Sequence, residues 1–142
     1  MEHKDCIFCK IINGELPSAK VFEDEHVYAF LDISQVTKGH TLVIPKTHTK
    51  NIYETPEDVA KELFAKVPLI ANAIKKTYQP LGMNLVNNNE PIADQTVFHL
   101  HLHLIPRYGD EDGFKSNWTS HSDEYSADNL QEIAKEIKQH IR

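Results

Sequence analysis

The sequence has little of several features that would place a protein in a special class. It contains two cysteines and no long apolar run in 142 residues. A membrane-spanning helix needs about 20 consecutive apolar residues, so the sequence predicts no membrane partner. The polar start of the chain, residues 1–5, lacks the apolar core of a signal peptide, so the cytoplasm is the predicted location. A chain of this length buries enough surface to fold without disulfide bonds.

Basic residues are also scarce. Lysine and arginine number 15 against 21 acidic residues, which gives a net charge of -6. Proteins that bind duplex nucleic acid usually carry a basic stripe, so the sequence predicts no nucleic-acid partner. An anionic ligand would therefore have to be held by local donors rather than by the overall field.

Hydrophobic periodicity predicts an α+β fold with a mainly antiparallel sheet. The predicted strands are 19–23, 26–31, 41–44, 83–87 and 97–105. The predicted helices are 6–12, a long central helix with Thr55 as its N-cap and Pro56 at its first position, and 127–141. Pro68 should kink or split the central helix. No repeat or linker interrupts the chain, so we expect one domain over residues 1–142, ending in a C-terminal segment 107–142.

Histidine is abundant, with nine residues, and its placement is unusual. Residues 98–105 alternate histidine with leucine, so a strand would place His99, His101 and His103 on one face, roughly 6–7 Å apart. The leucines between them would pack into the core. Three histidines on a flat strand do not easily surround a tetrahedral metal ion. Acid–base and nucleophilic chemistry is the stronger interpretation, because imidazole titrates near neutral pH and can attack phosphorus.

The two cysteines, Cys6 and Cys9, are three residues apart. A disulfide between them would close a very short loop and contribute little stability. This spacing is typical first of half a metal site and second of a redox pair. The redox motif usually lies near a βαβ pattern, which is absent from this sequence.

The histidine segment resembles the signature of the histidine triad (HIT) family, and the first 107 residues resemble its bacterial Hint-type branch. Further matching blocks are 7–12, 15–17, 22–25, 29–33, 39–48, Asn88 and 95–98. The resemblance implies a five-stranded HIT-like sheet with a long central helix and a C-terminal helix. It also implies a homodimer whose two sheets join, with the C-terminal segment reaching the neighbouring active site.

The implied activity is hydrolysis at the α-phosphate of a purine nucleotide conjugate, either a nucleoside phosphoramidate or a dinucleoside polyphosphate. By the same resemblance, His101 would attack phosphorus and form a nucleotidyl-histidine that water then hydrolyses. His103 would contact the phosphate oxygens or the leaving group. His40 would belong to a relay that fixes the tautomer of the nucleophile, although a satisfied core histidine is the alternative.

The resemblance also implies a nucleotide site. Asn88, Gln95 and Thr96 match positions that donate to the phosphate, and Asp32 matches the carboxylate that accepts the ribose hydroxyls. The apolar cleft around the base would consist of Ile7, Phe8, Ile11, Phe30, Ile33 and Leu42.

A structural zinc ion is implied by comparison with some bacterial HIT proteins and the related hexose-phosphate uridylyltransferases. The matching positions are Cys6, Cys9, His48 and His99. Two thiolates and two imidazoles would form a closed tetrahedral site with no open position for catalysis. His99 would then serve the metal rather than the phosphate. The alternative is two ordinary buried thiols.

Two departures from the family pattern leave the substrate open. Asp94 stands where many relatives have glycine, and it brings a negative charge near an anion. After the triad, residues 105–107 resemble the Fhit-type and bacterial forms more than typical Hint proteins. Three other functions remain alternatives: a nucleotidyl transferase, a nucleotide-binding regulator with little turnover, and a zinc-dependent structural module that does not need the triad.

Overall fold

The computed structural model describes residues 3–141 of the chain. These residues contain a five-stranded antiparallel sheet. Residues 1, 2 and 142, which the predicted domain included, lie outside the described residues. The helices and strands are α1 (Ile7–Ile12), β1 (Lys20–Glu23), β2 (Val27–Leu31), β3 (Thr41–Pro45), α2 (Glu57–Tyr78), β4 (Gly82–Val86), β5 (Leu102–Arg107) and α3 (Ala127–Lys138). The strand order is β1-β2-β3-β5-β4, so the predicted fold is confirmed.

Helix α2 covers one face of the sheet. Its buried residues recur at three- and four-residue steps and meet the leucines of the histidine segment. This core consists of Leu63, Val67, Ile70 and Ile74 from α2 and Val27, Ala29, Val43, Leu100, Leu102 and Leu104 from the sheet side. The prediction that these leucines pack into the core is therefore confirmed.

Helix α1 lies on the opposite face. Phe8 from this helix joins a second buried cluster that contains Tyr28, Phe30, Leu42 and Ile44 from β2 and β3. His103 is paired with Leu42 on β3 and with Val86 on β4. Because paired residues share a face of a sheet, the site residues on β5 project toward the α1 side.

The last strand is shorter than predicted. It begins at Leu102 rather than at residue 97, so His99 and His101 precede the strand and only His103 lies in it. Pairing between β3 and β5 ends at Val43 and Leu102. Pro45 lacks an N–H and cannot donate to a longer ladder. Its carbonyl accepts from His99 Nε2 at 2.8 Å, and the Leu100 N–H donates to the Thr49 carbonyl at 2.7 Å.

Helix α2 also differs from its prediction at two points. Its N-cap is Pro56 in an extended conformation, one residue after the predicted Thr55, and no side chain caps it. The Thr55 hydroxyl instead donates to the Asn51 carbonyl at 2.8 Å. The predicted split at Pro68 is wrong, because one helix runs from Glu57 to Tyr78. The carbonyl that Pro68 leaves without a helical donor belongs to Phe64, which is exposed and can reach water.

The C-terminal segment packs loosely. Helix α3 begins with a capping box at Ser126, and its apolar residues Leu130, Ile133 and Ile137 are all exposed. Within residues 3–141, none of the helices combines the length and the apolarity needed to cross a bilayer.

Candidate active site

His101 is buried at the start of β5, and one hydrogen bond orients its ring. Its Nδ1 lies 2.7 Å from the carbonyl oxygen of His99. A carbonyl can only accept, so Nδ1 carries the proton and Nε2 keeps its lone pair. Burial lowers the pKa of His101, which keeps the ring neutral. The local backbone therefore produces the tautomer that a nucleophilic imidazole needs.

His103 is oriented by a different chain of hydrogen bonds. The Val36 N–H donates to His40 Nδ1 at 3.2 Å, so the proton of a neutral His40 is on Nε2. That atom lies 2.9 Å from His103 Nδ1 and donates to it. His103 consequently carries its own proton on Nε2. The hydrogen bonds of His40 therefore orient His103, whereas the main-chain carbonyl of His99 orients His101, the residue predicted to attack phosphorus.

Burial also controls the charge of this relay. Desolvation, together with the neighbouring His101 and His40, lowers the pKa of His103 to about 4. Desolvation likewise lowers the pKa of His40, while the Asp32 carboxylate acts in the opposite direction. Asp32 Oδ2 is 3.6 Å from His40 Nε2 and 4.0 Å from His103 Nδ1. The structure therefore places neutral imidazoles beside one carboxylate.

The three predicted phosphate donors differ in burial and in hydrogen bonding. Asn88 is half-buried and makes no side-chain hydrogen bond within residues 3–141. Thr96 is exposed. Gln95 is only 4% exposed, and both the oxygen and the nitrogen of its amide are hydrogen-bonded to protein groups. Its Oε1 accepts from Asn51 Nδ2 and the Glu90 N–H, while its Nε2 donates to the carbonyls of Lys50 and Val97. These hydrogen bonds make Gln95 an organiser of the loop, and its predicted role as a phosphate donor stays a prediction.

The predicted base cleft is only partly assembled. Phe8, Phe30 and Leu42 are buried together, and Ile11 packs against them. The Phe8 ring meets Phe30 at 5.5 Å and His101 at 5.1 Å, both edge-on, so the cluster adjoins His101. Ile33 is 99% exposed and does not join this cluster.

A cavity of about 550 Å³ lies beside the cysteines. Its lining includes Ile7 and Thr96, together with Cys6, His48 and Lys50. Two residues predicted to bind the nucleotide therefore line this cavity.

The predicted metal ligands form a compact group. Cys6 Sγ and His99 Nδ1 are 3.4 Å apart, as are Cys9 Sγ and His48 Nδ1, and Cys9 Sγ and His99 Nδ1 are 3.7 Å apart. Tetrahedral zinc, with bonds of about 2.3 Å to sulfur and about 2.0–2.1 Å to nitrogen, separates such atoms by about 3.6 Å. The four ligand atoms all lie within 4.8 Å of one another.

The protonation of these ligands also suits a metal. His99 Nε2 donates to the Pro45 carbonyl at 2.8 Å, which leaves Nδ1 free of a proton and facing the sulfurs. Desolvation lowers the pKa of His99 to about 4 and also lowers that of His48. The group can therefore hold a metal ion such as zinc.

A second group, Asp32, His40 and His103, is equally close but suits a metal less well. Val36 donates to His40 Nδ1, so His40 Nε2 must keep the proton that bridges to His103. A protonated nitrogen cannot coordinate a metal. This group is a hydrogen-bond relay.

The sequence did not reveal several residues of the site. Val36 acts through its backbone N–H, for which a side-chain motif carries no signal. Asn87 donates to the His101 carbonyl at 3.0 Å, whereas the family resemblance points only to Asn88 in the asparagine run. Asp94 has a φ of 71°, and Glu90 has a φ of 79°. The departure at Asp94 therefore falls at a position whose conformation favours glycine.

Residues 13–110 match the family model of the HIT domain. The chain belongs to the HIT family. Protein hit of Bacillus subtilis is 57% identical over 138 residues, which make up 97% of this chain and 95% of that protein. The protein named adenosine 5′-monophosphoramidase HNT1 in Candida albicans is 34% identical over 143 aligned positions, covering 98% of this HIT chain and 93% of that protein.

Solved structures of other HIT proteins agree with this assignment. The structure of a HIT family protein from Bacillus anthracis has a TM-score of 0.95 at 58% identity, covering 98% of this chain and 99% of that chain. A zinc-bound histidine triad family protein from Mycobacterium smegmatis has a TM-score of 0.73 at 33% identity, covering 96% and 98%. Family membership supports nucleotide hydrolysis at the level of the family.

Proposed function

We propose that this HIT protein hydrolyses purine nucleotide conjugates at the α-phosphate, with His101 as the covalent nucleophile. The observation that carries the proposal is the hydrogen bond from His101 Nδ1 to the His99 carbonyl. It holds the proton away from Nε2, and burial keeps the ring neutral. A neutral imidazole with a fixed free lone pair is a competent nucleophile toward phosphorus.

The reaction would proceed in two displacements. Nε2 of His101 forms a bond to phosphorus while the bond to the leaving group breaks, and the leaving group departs with that electron pair. A nitrogen leaving group takes a proton from water as its bond to phosphorus breaks, so it departs as the neutral amine. In the second displacement a water oxygen bonds to phosphorus and loses a proton to solvent, and the electron pair of the N–P bond returns to Nε2. The product is the nucleoside monophosphate.

Neighbouring groups would stabilise the charge that develops on the phosphoryl oxygens. His103 Nε2 carries a proton because its Nδ1 accepts from His40, so it can donate to a phosphoryl or leaving-group oxygen. The amide of Asn88 and the hydroxyl of Thr96 are further proposed donors. The Asp32 carboxylate is proposed to accept the ribose hydroxyls, and the cluster around Phe8, Phe30 and Leu42 to contact the base.

Among possible substrates we favour a nucleoside phosphoramidate over a dinucleoside polyphosphate. The relative from Candida albicans carries a phosphoramidase name. The loop before the histidines contributes two carboxylates, Glu90 and Asp94, and within residues 3–141 only Glu90 is paired, with Lys50 at 3.2 Å. An extra carboxylate disfavours a polyanionic leaving group.

Intact-protein mass spectrometry tests the mechanism. Wild type, His101→Ala and the exposed control His26→Ala are mixed with adenosine 5′-phosphoramidate or with diadenosine tetraphosphate and quenched without acid. We expect a transient gain of one AMP in wild type and His26→Ala, and none in His101→Ala. Tight AMP binding without adduct or turnover would contradict the hydrolase and favour a regulator. Transfer of AMP to added phosphate rather than to water would favour the transferase.

We also propose that Cys6, Cys9, His48 and His99 bind a structural zinc ion. With four protein ligands, the ion would cross-link α1 to the segments that flank the active site and would supply no open coordination position. Elemental analysis should find about one zinc per chain in wild type and in Cys9→Asp much less. Equal zinc contents in the two proteins would contradict the assignment, and normal turnover without zinc would restrict it to stability.

The proposed partner is a second copy of this chain. Strand β4 is an edge of the sheet, and its Leu85 is 57% exposed. An unpaired edge is a template for another strand, so two copies can join their sheets there. The C-terminal segment 107–142 is proposed to reach the neighbouring site. Light scattering should give a dimer for wild type and a monomer for Leu85→Lys, and a monomeric wild type would contradict it. The cytoplasmic location stays a prediction.

A further inference from the structure

Glu90 adopts a backbone conformation that glycine normally supplies. Its φ is 79° and its ψ is 155°. This region of backbone space is essentially limited to glycine, because a side chain there clashes with the peptide unit. A residue persists in such a conformation only when its surroundings hold it there. The loop from residue 87 to 95, which leads into the histidine segment, is therefore under local constraint.

Hydrogen bonds to the backbone and to the side chain of Glu90 supply that constraint. Its N–H donates to Gln95 Oε1 at 2.8 Å, and its carboxylate accepts from Asn51 Nδ2 at 2.7 Å. The same Nδ2 group of Asn51 also donates to Gln95 Oε1 at 3.1 Å. Lys50 Nζ pairs with the carboxylate at 3.2 Å. Asn51 is only 1% exposed, so it is a fixed anchor for this group.

The anchored loop continues to the nucleophile through three further bonds. The Ile52 N–H donates to Asn89 Oδ1 at 2.8 Å, and Asn89 Nδ2 donates to Asn87 Oδ1 at 2.7 Å. Asn87 Nδ2 then donates to the main-chain carbonyl of His101 at 3.0 Å. His101 precedes β5 and lacks the ladder that would otherwise hold its backbone. The hydrogen bond from Asn87 holds the backbone in place of that ladder.

We propose that Asn87 and Glu90 are positioning residues for His101. Asn87 holds the backbone of the nucleophile, while the His99 carbonyl holds its ring, and Glu90 locks the loop that carries Asn87. The inference rests on the proposed function of His101. In this role both residues act through His101 and not on the substrate. Their loss should therefore lower the rate of attack and leave nucleotide affinity nearly unchanged, since a displacement of about 1 Å can cost about 100-fold in rate.

The experiment measures kcat and KM with adenosine 5′-phosphoramidate, AMP affinity by calorimetry, and thermal stability. Asn87→Ala and Asn87→Asp both remove the donor to the His101 carbonyl, and the second keeps the size of the side chain. We expect kcat to fall about 10- to 100-fold in both, with KM and AMP affinity within about threefold of wild type. Asn72→Ala is the matched control, because Asn72 makes the same amide-to-carbonyl bond with Pro68 on the exposed side of α2.

Glu90 is tested by two substitutions that separate backbone from side chain. Glu90→Gly removes both the backbone strain and the carboxylate, whereas Glu90→Gln keeps an acceptor for Asn51. We expect Glu90→Gly to lose kcat and Glu90→Gln to recover most of it. Glu57→Gln is the control, because it breaks an exposed ion pair with Lys61. Wild-type kcat in Glu90→Gly would overturn the role of Glu90.

The outcomes also distinguish this proposal from the proposed function. If wild type turns over and both Asn87 variants match Asn72→Ala in kcat, the positioning role is overturned. If wild type forms no adduct and releases no AMP, the proposed function fails. In that event the ¹⁵N ring shifts of His101 still decide the positioning role. Shifts that move in Asn87→Ala and not in Asn72→Ala support it, and shifts that stay unchanged in both overturn it.

Discussion

Lowering the pH should destabilise the fold through His103. Burial lowers the pKa of this residue from 6.5 to about 4, so the folded state resists protonation more than the unfolded state does. Its contribution to stability is complete above pH 6.5, the pKa of the residue in the unfolded chain. That contribution is lost as the pH falls toward 4, the pKa of the residue in the folded chain. Only 18% of the side chain is exposed, so solvent screening reduces the effect little.

The size of the effect follows from the two pKa values. Between about pH 7.5 and about pH 5, a histidine with these values in the folded and unfolded states lowers the free energy of unfolding by about 2 kcal/mol. Typical domains are stable by only about 5–15 kcal/mol. Such a loss moves the urea midpoint by about 1 M.

Urea unfolding of wild type and His103→Gln at both pH values isolates this contribution. Glutamine keeps an acceptor for His40 Nε2 but cannot bind a proton in this range. We expect the variant to lose about 2 kcal/mol less than wild type on acidification. His121→Gln, which removes an exposed histidine, should behave like wild type. An equal loss in wild type and His103→Gln would refute the reasoning that burial keeps His103 neutral.

Three further predictions concern stability. A Cβ at Gly113 would lie 2.6 Å from the Val36 carbonyl oxygen, at a φ of 108°, so Gly113→Ala should cost about 1–3 kcal/mol and lower the melting temperature by several degrees. An unchanged melting temperature would contradict that contact. Leu63→Ala, at a fully buried position under the sheet, should cost about 2–5 kcal/mol in urea unfolding, and a loss below 1 kcal/mol would place Leu63 outside the core. Ser126→Ala removes the capping box of α3 and should weaken that helix by about 1 kcal/mol. Faster amide exchange confined to α3, with an unchanged urea midpoint, is the expected result, and a shifted midpoint would show that α3 supports the fold.

The sequence predicts most elements of the fold because their signals are local. The repeat of Leu63, Val67, Ile70 and Ile74 indicates one face of a helix whatever it packs against. The leucines of the histidine segment likewise indicate a buried face. Strand ends depend on a partner instead. The strand that contains His103 starts late because Pro45, more than 50 residues earlier, ends the neighbouring ladder.

The site residues divide in the same way, into those that local sequence predicts and those that depend on a distant partner. The spacing of Cys6 and Cys9 predicts half a metal site, the family resemblance adds His48 and His99, and the structure brings the four residues together. The partner of His40 could not be predicted, because His103 lies 63 residues away and only the folded sheet brings the rings together. Glu90 is the opposite case. Its residue type argues against a positive φ, and contacts with Asn51, Gln95 and Lys50 override that preference.

The separation of Cys6 from His99 has a consequence for how the protein is made. The two residues are 93 positions apart, and they meet only when the segment that follows Pro45 and the segment that precedes β5 are both in place. During synthesis the cysteines leave the ribosome before His99, which follows Cys6 by 93 residues. Contacts of such long range form late and slow the folding reaction. Uptake of the proposed metal ion, timed on a nascent or refolding chain, should therefore coincide with the final assembly of the sheet. Cobalt in place of the proposed zinc would allow that uptake to be followed optically.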